Sequence, residues 1–578
     1  MAQALGKLVA AVVGVGCIAM PARADNWPGF LGTNAQSVST EKGLPLEWGP
    51  EKNVRWRVPL PGRGNGSPVV WGDRVFVTQG VEKEKRRTLI CFDRTSGKQL
   101  WQSGVTYSEP ESTHPDNPPG SGTPATDGER VVACFGSAGL VCYDFAGKEL
   151  WKRDLGKLDH MFGNAISPTI VGDLVVLNFG PGEGTRLVAV DKRSGEVAWE
   201  AKPPAVDPDE QRLSAPRIGG PAFGVAQRIV GQGDKDEDAI MTRAEMNGLA
   251  ATWFDALDKD KTGKVTAQQL PERLNEMAGP GQGPGGRSRM GEVVGPALAT
   301  AADADNDGAI TREELAATFG RWFDQWGGGK GEPLDMNQVI DGLNAILPAP
   351  PARGGGAAAG GFGGPKGPAG SWSTPIHVRA SGRAEIVVAF PNRLAGYDAK
   401  TGKMLWFCRG VADAVHPTPV WDEQQGLIIS ASSDMGGGTV VAVRPGGEGD
   451  VTKDRAAWRE TRVKGTIGTG VVHDGRLYLI GTDGFAVCID AKTGKRLWQK
   501  RLEGTGDKSS SWSSMLLADG KIYVPNQSGD VFVLDAGKEF KVIATNSVNE
   551  PTNASLAASE GELFLRTDKA LWCIAAGR

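Results

Sequence analysis

Several residue types that carry chemistry are scarce or badly placed in this chain of 578 residues. It has 5 histidines and 5 tyrosines against 17 tryptophans. The histidines (His114, His160, His377, His416, His473) show no metal-ligand spacing. The 7 cysteines include no adjacent pair, no C-x-x-C and no C-x-x-C-H, so the usual dithiol, zinc and haem-attachment patterns are missing. There is no G-x-S-x-G elbow, and the T-G-K triplets lack the frame of a phosphate loop and read as turns. A formal charge of −4 gives no basic footprint for nucleic acid. Past the N-terminus no apolar run is long enough to cross a bilayer.

What is present begins with an export signal. Lys7 precedes an apolar stretch from Leu8 to Met20, and Ala22-Arg23-Ala24 fits a cleavage site before Asp25. Residues 1–24 are therefore expected to be a signal peptide, and the mature chain periplasmic or extracellular. Lipid anchoring through Cys17 is the lesser alternative, because Gly14 stands where a lipobox has leucine. Disulfides are permitted in that compartment, but no pairing is written in the sequence. Cys91, Cys142 and Cys488 fall two residues before a repeated Asp, where cysteine serves as a small buried hydrophobe.

That Asp belongs to a repeat. LICFDRTSGKQLW from Leu89, LVCYDFAGKELW from Leu140, LVAVDKRSGEVAW from Leu187, LAGYDAKTGKMLW from Leu394 and AVCIDAKTGKRLW from Ala486 share one pattern. Each is an alternating strand, a turn on Asp and Gly, and a strand carrying Trp. A strand–turn–strand segment precedes each copy, so a unit holds four strands. The period is near 47 residues, except that Asp191 to Asp398 spans 207. Four-stranded units at this period stack as propeller blades. The expected fold is mostly β: an eight-bladed β-propeller of four-stranded antiparallel blades. Asn53 to Leu60 supplies the outer strand that the last unit lacks, which closes the ring. Residues 25–204 hold the closing strand and blades one to three, and 371–578 hold blades four to eight.

These units, with D-x-x-T-G-K-x-x-W and its variants, resemble the PQQ-type β-propeller repeat of the assembly lipoprotein BamB and of quinoprotein dehydrogenases. The DNWPGFLG stretch from Asp25 resembles secreted propellers of that group. The resemblance implies that Trp101, Trp151, Trp199, Trp406, Trp458 and Trp498 dock between neighbouring blades. His114, in a proline-rich loop, and His416, at the start of blade five, could then face the funnel; surface or structural placement is the expectation.

Between the two halves lies an acidic guest. Residues 205–370 carry 23 Asp+Glu against 16 Lys+Arg, a balance of −7. Asp303 to Glu314 (DADNDGAITREE) is a complete twelve-residue EF-hand loop. Asp303, Asp305 and Asp307 stand at positions 1, 3 and 5, Gly308 takes the turn, Ala309 offers its carbonyl at 7, Thr311 stands at 9, and Glu314 closes at 12. Ca²⁺ wants six to eight oxygens at roughly 2.3–2.6 Å, and this spacing supplies them. A first loop has Asp234, Asp236, Asp238 and Glu245 at positions 1, 3, 5 and 12, but Ala239 replaces the turn glycine. A second has Asp258, Asp260, Thr262, the Lys264 carbonyl and Gln269. An amide at position 12 and three lysines should leave it with little affinity. A fourth, at 327–338, has lost its acids. The starts at 234, 258, 303 and 327 predict two pairs, each 24 residues apart. The guest is thus an α-helical EF-hand domain over 205–347, with a Gly/Ala/Pro linker over 348–370.

The expected function is that of a non-catalytic binding or scaffold propeller with a calcium-binding insert. Its loops would meet a protein, a polysaccharide or a small ligand. The alternatives implied by the resemblance are a PQQ-dependent quinoprotein dehydrogenase and an outer-membrane assembly factor. Alcohol-oxidising members of that family set an adjacent cysteine pair against the quinone; this chain has none, so PQQ is not expected.

Overall fold

The computed structural model describes residues 26–109, 111–182, 184–206, 221–235, 241–278, 290–327, 333–334, 336–347, 370–380, 382–433 and 438–577. The expected signal peptide with Cys17, most of the expected linker, and Asp236, Asp238 and Ala239 of the first loop lie outside the described residues, as does much of the fourth loop.

The chain is mostly β and propeller-like. Among the described residues, eight sheets have four or more strands, and one small sheet has two. A typical sheet runs Thr169–Val171, Leu174–Phe179, Arg186–Asp191 and Val197–Ala201, each strand antiparallel to the one before. The two central strands are almost wholly buried, so they read as continuous apolar runs rather than as alternation. The sheet of Ala557–Ser559, Glu562–Arg566 and Ala570–Ala575 takes its fourth strand from Val54–Pro59. The chain's two ends are thereby zipped together, and that sheet has no naked edge on this side.

Apolar cores fill the seams between sheets. One joins Val176, Leu187 and Trp199 to Ile386, Val388 and Tyr397. Another joins Leu427, Ile429 and Val440 to Leu477, Val487 and Ile489. A larger one unites the N- and C-terminal strands, with Val75 and Ile90 on one flank and Tyr523 and Val533 on the other. Followed from sheet to sheet, these cores return to their start.

The tryptophans lock the seams. In seven sheets the outer strand slips by one residue just before its Trp, at Arg55, Leu100, Leu150, Ala198, Leu405, Ala457 and Leu497. Such a bulge re-aims the next side chain. The indole N–H of Trp56, Trp101, Trp151 and Trp458 then donates at 2.8–3.0 Å to the carbonyl after the repeat Asp of the adjoining sheet. Those carbonyls are Arg94, Phe145, Lys192 and Ala491. Trp406 packs in the seam core with Ile428 and Val441 of the next sheet, as expected, but its indole N–H differs: it donates at 2.7 Å to Glu385, a fully buried carboxylate on its own sheet. Gly396 has no side chain, and that makes the space for the indole to turn inward.

Among the described residues, six helices form a separate unit: Pro221–Gly233, Arg243–Leu257, Leu270–Ala278, Met290–Ala302, Arg312–Trp326 and Met336–Ile346. Its core, among the described residues, is built only from its own, including Leu249, Trp253, Leu274, Leu298, Phe319, Trp322 and Leu343. Capping boxes start two of the helices, Thr242 with Glu245 and Thr311 with Glu314.

Candidate functional site

Two places gather functional groups. In the helical unit, Asp303, Asp305 and Asp307 bring one carboxylate oxygen each to within 4.8 Å of one another. Gly308 and Asn306 take positive φ, 82° and 60°, and wind the loop around that point. Asp303 Oδ2 accepts from Gly308 N at 3.1 Å, while its buried Oδ1 has no partner. Glu314 turns back over the loop. One oxygen accepts from Thr311 N and Oγ1 at 2.9 and 2.8 Å, and the other from Ala304 N at 3.0 Å. Those donors hold its carboxyl below the usual range. Ala309 lies in the short strand Ala309–Thr311.

The second loop is spoken for internally. Asp258 accepts from Thr262 N and Gly263 N at 2.9 and 2.8 Å, and Thr262 Oγ1 donates to the Lys264 carbonyl at 2.8 Å. Asp260 is ion-paired with Arg273 at 2.7 Å, a cation that a metal would have to displace. Gln269 caps its helix through Thr266. In the first loop, Glu245 accepts from Lys235 N at 2.8 Å and repeats the closure of Glu314. Asp234 is half-buried.

The pairing of loops differs from the expectation. Lys264–Thr266 of the second loop pairs with Ala309–Thr311 of the third, Val265 opposite Ile310. A bridge between Met241 and Leu334 links the first loop to the fourth. Loops 24 residues apart share one helix, Arg243–Leu257 or Arg312–Trp326. A helix of 15 residues is about 22 Å long, so the two loops sit at its opposite ends and cannot meet.

The other place is a cavity of about 360 Å³ on the inner side of the sheets. Around it runs a relay of hydrogen bonds at 2.9–3.1 Å. Thr418 N donates to Thr469 Oγ1, Thr469 N to Ser514 Oγ, Ser514 N to Ser555 Oγ, and Ser555 N to Ser67 Oγ. Ser67 N then donates to Thr123 Oγ1, and Thr123 N to Ser167 Oγ. Each hydroxyl opens one sheet's innermost strand, so the bonds give the cyclic order of the sheets; Thr374 holds the equivalent place between Ser167 and Thr418. Two residues before each hydroxyl, one residue faces the cavity: Asn65, Ser121, Ala165, Trp372, His416, Ile467, Trp512 and Asn553.

The sequence contains this register as eight x-x-[Ser/Thr] triplets, but their period is masked by the insert and by variation at the first place. The wall residues were therefore missed. His114 and His416 line the cavity, which corrects their expected surface or structural placement. His416 stacks on Trp372, ring centres 4.5 Å apart and 11° from parallel. Burial first, and then nearby His160, push its pKa down to about 4, so it is neutral at ordinary pH. From Trp372 ring contacts run on to Phe162, His114 and Trp512 at 5.9–6.4 Å, and Phe30 of the N-terminal segment adds another ring. Among the described residues, no lysine, arginine or cysteine lines the cavity, and the one carboxylate there, Asp413, accepts from Asn392 at 2.6 Å. The six described cysteines are all buried and unpaired.

Sheets in cyclic order around a polar relay and an aromatic-lined hollow define a propeller-like repeat protein. The profile of one family, described as outer membrane protein assembly factor BamB, matches residues 29–157, 85–216, 372–536 and 436–576, and the chain belongs to that family. Over 217 residues it is 25% identical to a polyvinylalcohol dehydrogenase from Pseudomonas sp, a match covering 35% of this chain and 33% of that protein. The chain thus matches about a third of that relative's length. BamB from Moraxella catarrhalis is similar at 12% identity and TM-score 0.46, covering 91% of this chain and 98% of that one. A quinohemoprotein alcohol dehydrogenase from Comamonas testosteroni reaches 13% and 0.38, over 96% and 82%. Likenesses this distant carry no functional argument. Among the described residues, no helix is long and apolar enough to cross a membrane.

Proposed function

We propose that this chain is an exported, non-catalytic eight-bladed β-propeller that binds a ligand in its axial cavity and carries a calcium-binding EF-hand insert. The observation that carries the reading is the convergence of eight equivalent positions on one hollow. Pockets of roughly 300–1,000 Å³ with apolar walls and a few placed polar groups are typical ligand sites. The lining offers no nucleophile matched to a base and an orienting acid. It also fits PQQ poorly, since that quinone carries three carboxylates and, among the described residues, no lysine or arginine stands in the wall to receive them. Catalysis through that cofactor is therefore no part of the reading.

In the insert, Asp303, Asp305, Asp307, the Ala309 carbonyl and Glu314 would hold Ca²⁺, with Thr311 ordering Glu314. The ion would supply fixed positive charge and draw the loop's carboxylates together. The unpartnered Oδ1 of Asp303 supports this, because a buried carboxylate oxygen wants a donor or a cation.

The test is purified full-length protein with PQQ, Ca²⁺, an electron-accepting dye and a panel of alcohols and sugars. No dye reduction is expected; turnover would make the chain a quinoprotein dehydrogenase.

A further inference from the structure

We infer that the axial cavity takes a neutral saccharide ring, gripped by the aromatic belt and oriented by an arc of amide and hydroxyl groups. This rests on the ligand-binding reading above and adds the ligand's chemical class.

The cyclic order given by the hydroxyl relay sorts the wall into two arcs. Asn553, Asn65 and Ser121 are consecutive, and so are Trp372, His416, Ile467 and Trp512. In a ring of eight, the first arc faces the second. The polar arc is rigid. The side-chain amides of Asn65 and Asn553 both donate to the Asp116 carbonyl, at 2.7 and 3.3 Å. Asn65 Oδ1 is left to accept from a ligand. Asn117 is fixed the same way, its amide nitrogen donating to the Phe162 carbonyl at 2.8 Å, with Oδ1 unused. The opposite arc and the belt are aromatic or apolar.

A sugar ring is the small molecule with this division, since its C–H faces are apolar and its hydroxyl edge is polar. Trp and Tyr serve such ligands because they join a large apolar face to a polar handle. Full charges on the ligand are disfavoured from both sides. Among the described lining residues an anion finds no lysine or arginine, and His416 is neutral. An organic cation would want an uncommitted carboxylate, but the carboxylate of Asp413 already binds Asn392. A wholly apolar ligand would leave the acceptors of Asn65 and Asn117 dry and unpaired, which is costly.

The experiment titrates full-length protein with D-glucose, D-galactose, N-acetyl-D-glucosamine, cellobiose and diacetylchitobiose. It is read by tryptophan fluorescence and by saturation transfer from protein to sugar ring protons. Tetramethylammonium and toluene are run beside them. At least one sugar should bind saturably below about 10 mM. Asn65→Ala and Trp512→Ala should each weaken it about tenfold or more, with an unchanged β-type circular dichroism spectrum. Asn65→Gln is the second polar variant: it keeps both the amide donor and the acceptor and should retain more of the affinity than Asn65→Ala. Sugar binding that ignores both Asn65→Ala and Trp512→Ala would overturn the site. Binding of tetramethylammonium or toluene but of no sugar would overturn the saccharide class and leave the ligand-binding reading standing. No response to any probe would overturn both.

Discussion

Two glycines in one sheet separate backbone strain from packing. Gly172 and Gly195 both sit at positive φ, 61° and 71°. A Cβ on Gly172 would meet nothing within 4 Å, whereas one on Gly195 would lie 2.5 Å from the Trp151 indole. Alanine at either place pays the left-handed penalty of about 1–2 kcal/mol. At Gly195 the indole must also move, although its N–H is held by the Lys192 carbonyl at 3.0 Å. Forcing atoms into a packed seam adds about 1–3 kcal/mol. Gly172→Ala should therefore cost about 1–2 kcal/mol, and Gly195→Ala about 2–5 kcal/mol. Urea unfolding followed by far-ultraviolet circular dichroism measures both. In a Trp151→Ala background the excess at Gly195 should vanish, because the obstructing ring is gone. Equal costs at the two glycines, or an excess that survives removal of Trp151, would refute the idea that each sheet is keyed to its neighbour by a tryptophan seated on a turn glycine.

Glu314→Gln should lower calcium affinity at least tenfold by removing the closing carboxylate, and Gln269→Glu should create a second site by supplying one. Isothermal calorimetry reads both, and unchanged heats would count against the loop assignment. Replacing 205–370 with a short bridge should leave the β-type spectrum intact, since the helical core uses only its own residues. His416 titrates near 4 in the folded chain, below the 6.5 of a free histidine, so the unfolded chain binds more protons between those values. Its contribution is complete above about pH 6.5 and is lost as pH falls toward 4, up to about 3 kcal/mol, less what cavity water restores. The melting temperature of wild type should fall further than that of His416→Gln between about pH 7 and 4.5.

The repeat alone was enough to announce four-stranded units, because alternation, an Asp-Gly turn and a Trp recur at near-constant spacing. The same periodicity located the splice, since one interval is about 160 residues too long. The EF-hand pattern at 303–314 was legible because six chemical requirements fall within twelve consecutive residues, and the structure draws Asp303, Asp305 and Asp307 together. Pairing of the loops was not, because a shared helix separates neighbours in sequence and brings distant loops together. Trp406 was assigned to a seam by its motif and packs there, yet a buried Glu385 on its own sheet captured its N–H. Above all, the sequence determined which residue occupies each repeat's inner end, but only closure of the sheets decided that Asn65, Trp372, His416 and Trp512 share one hollow. The physical reason is that a local pattern fixes hydrogen bonding within a sheet, whereas a cavity wall is assembled from the packing of all the sheets at once.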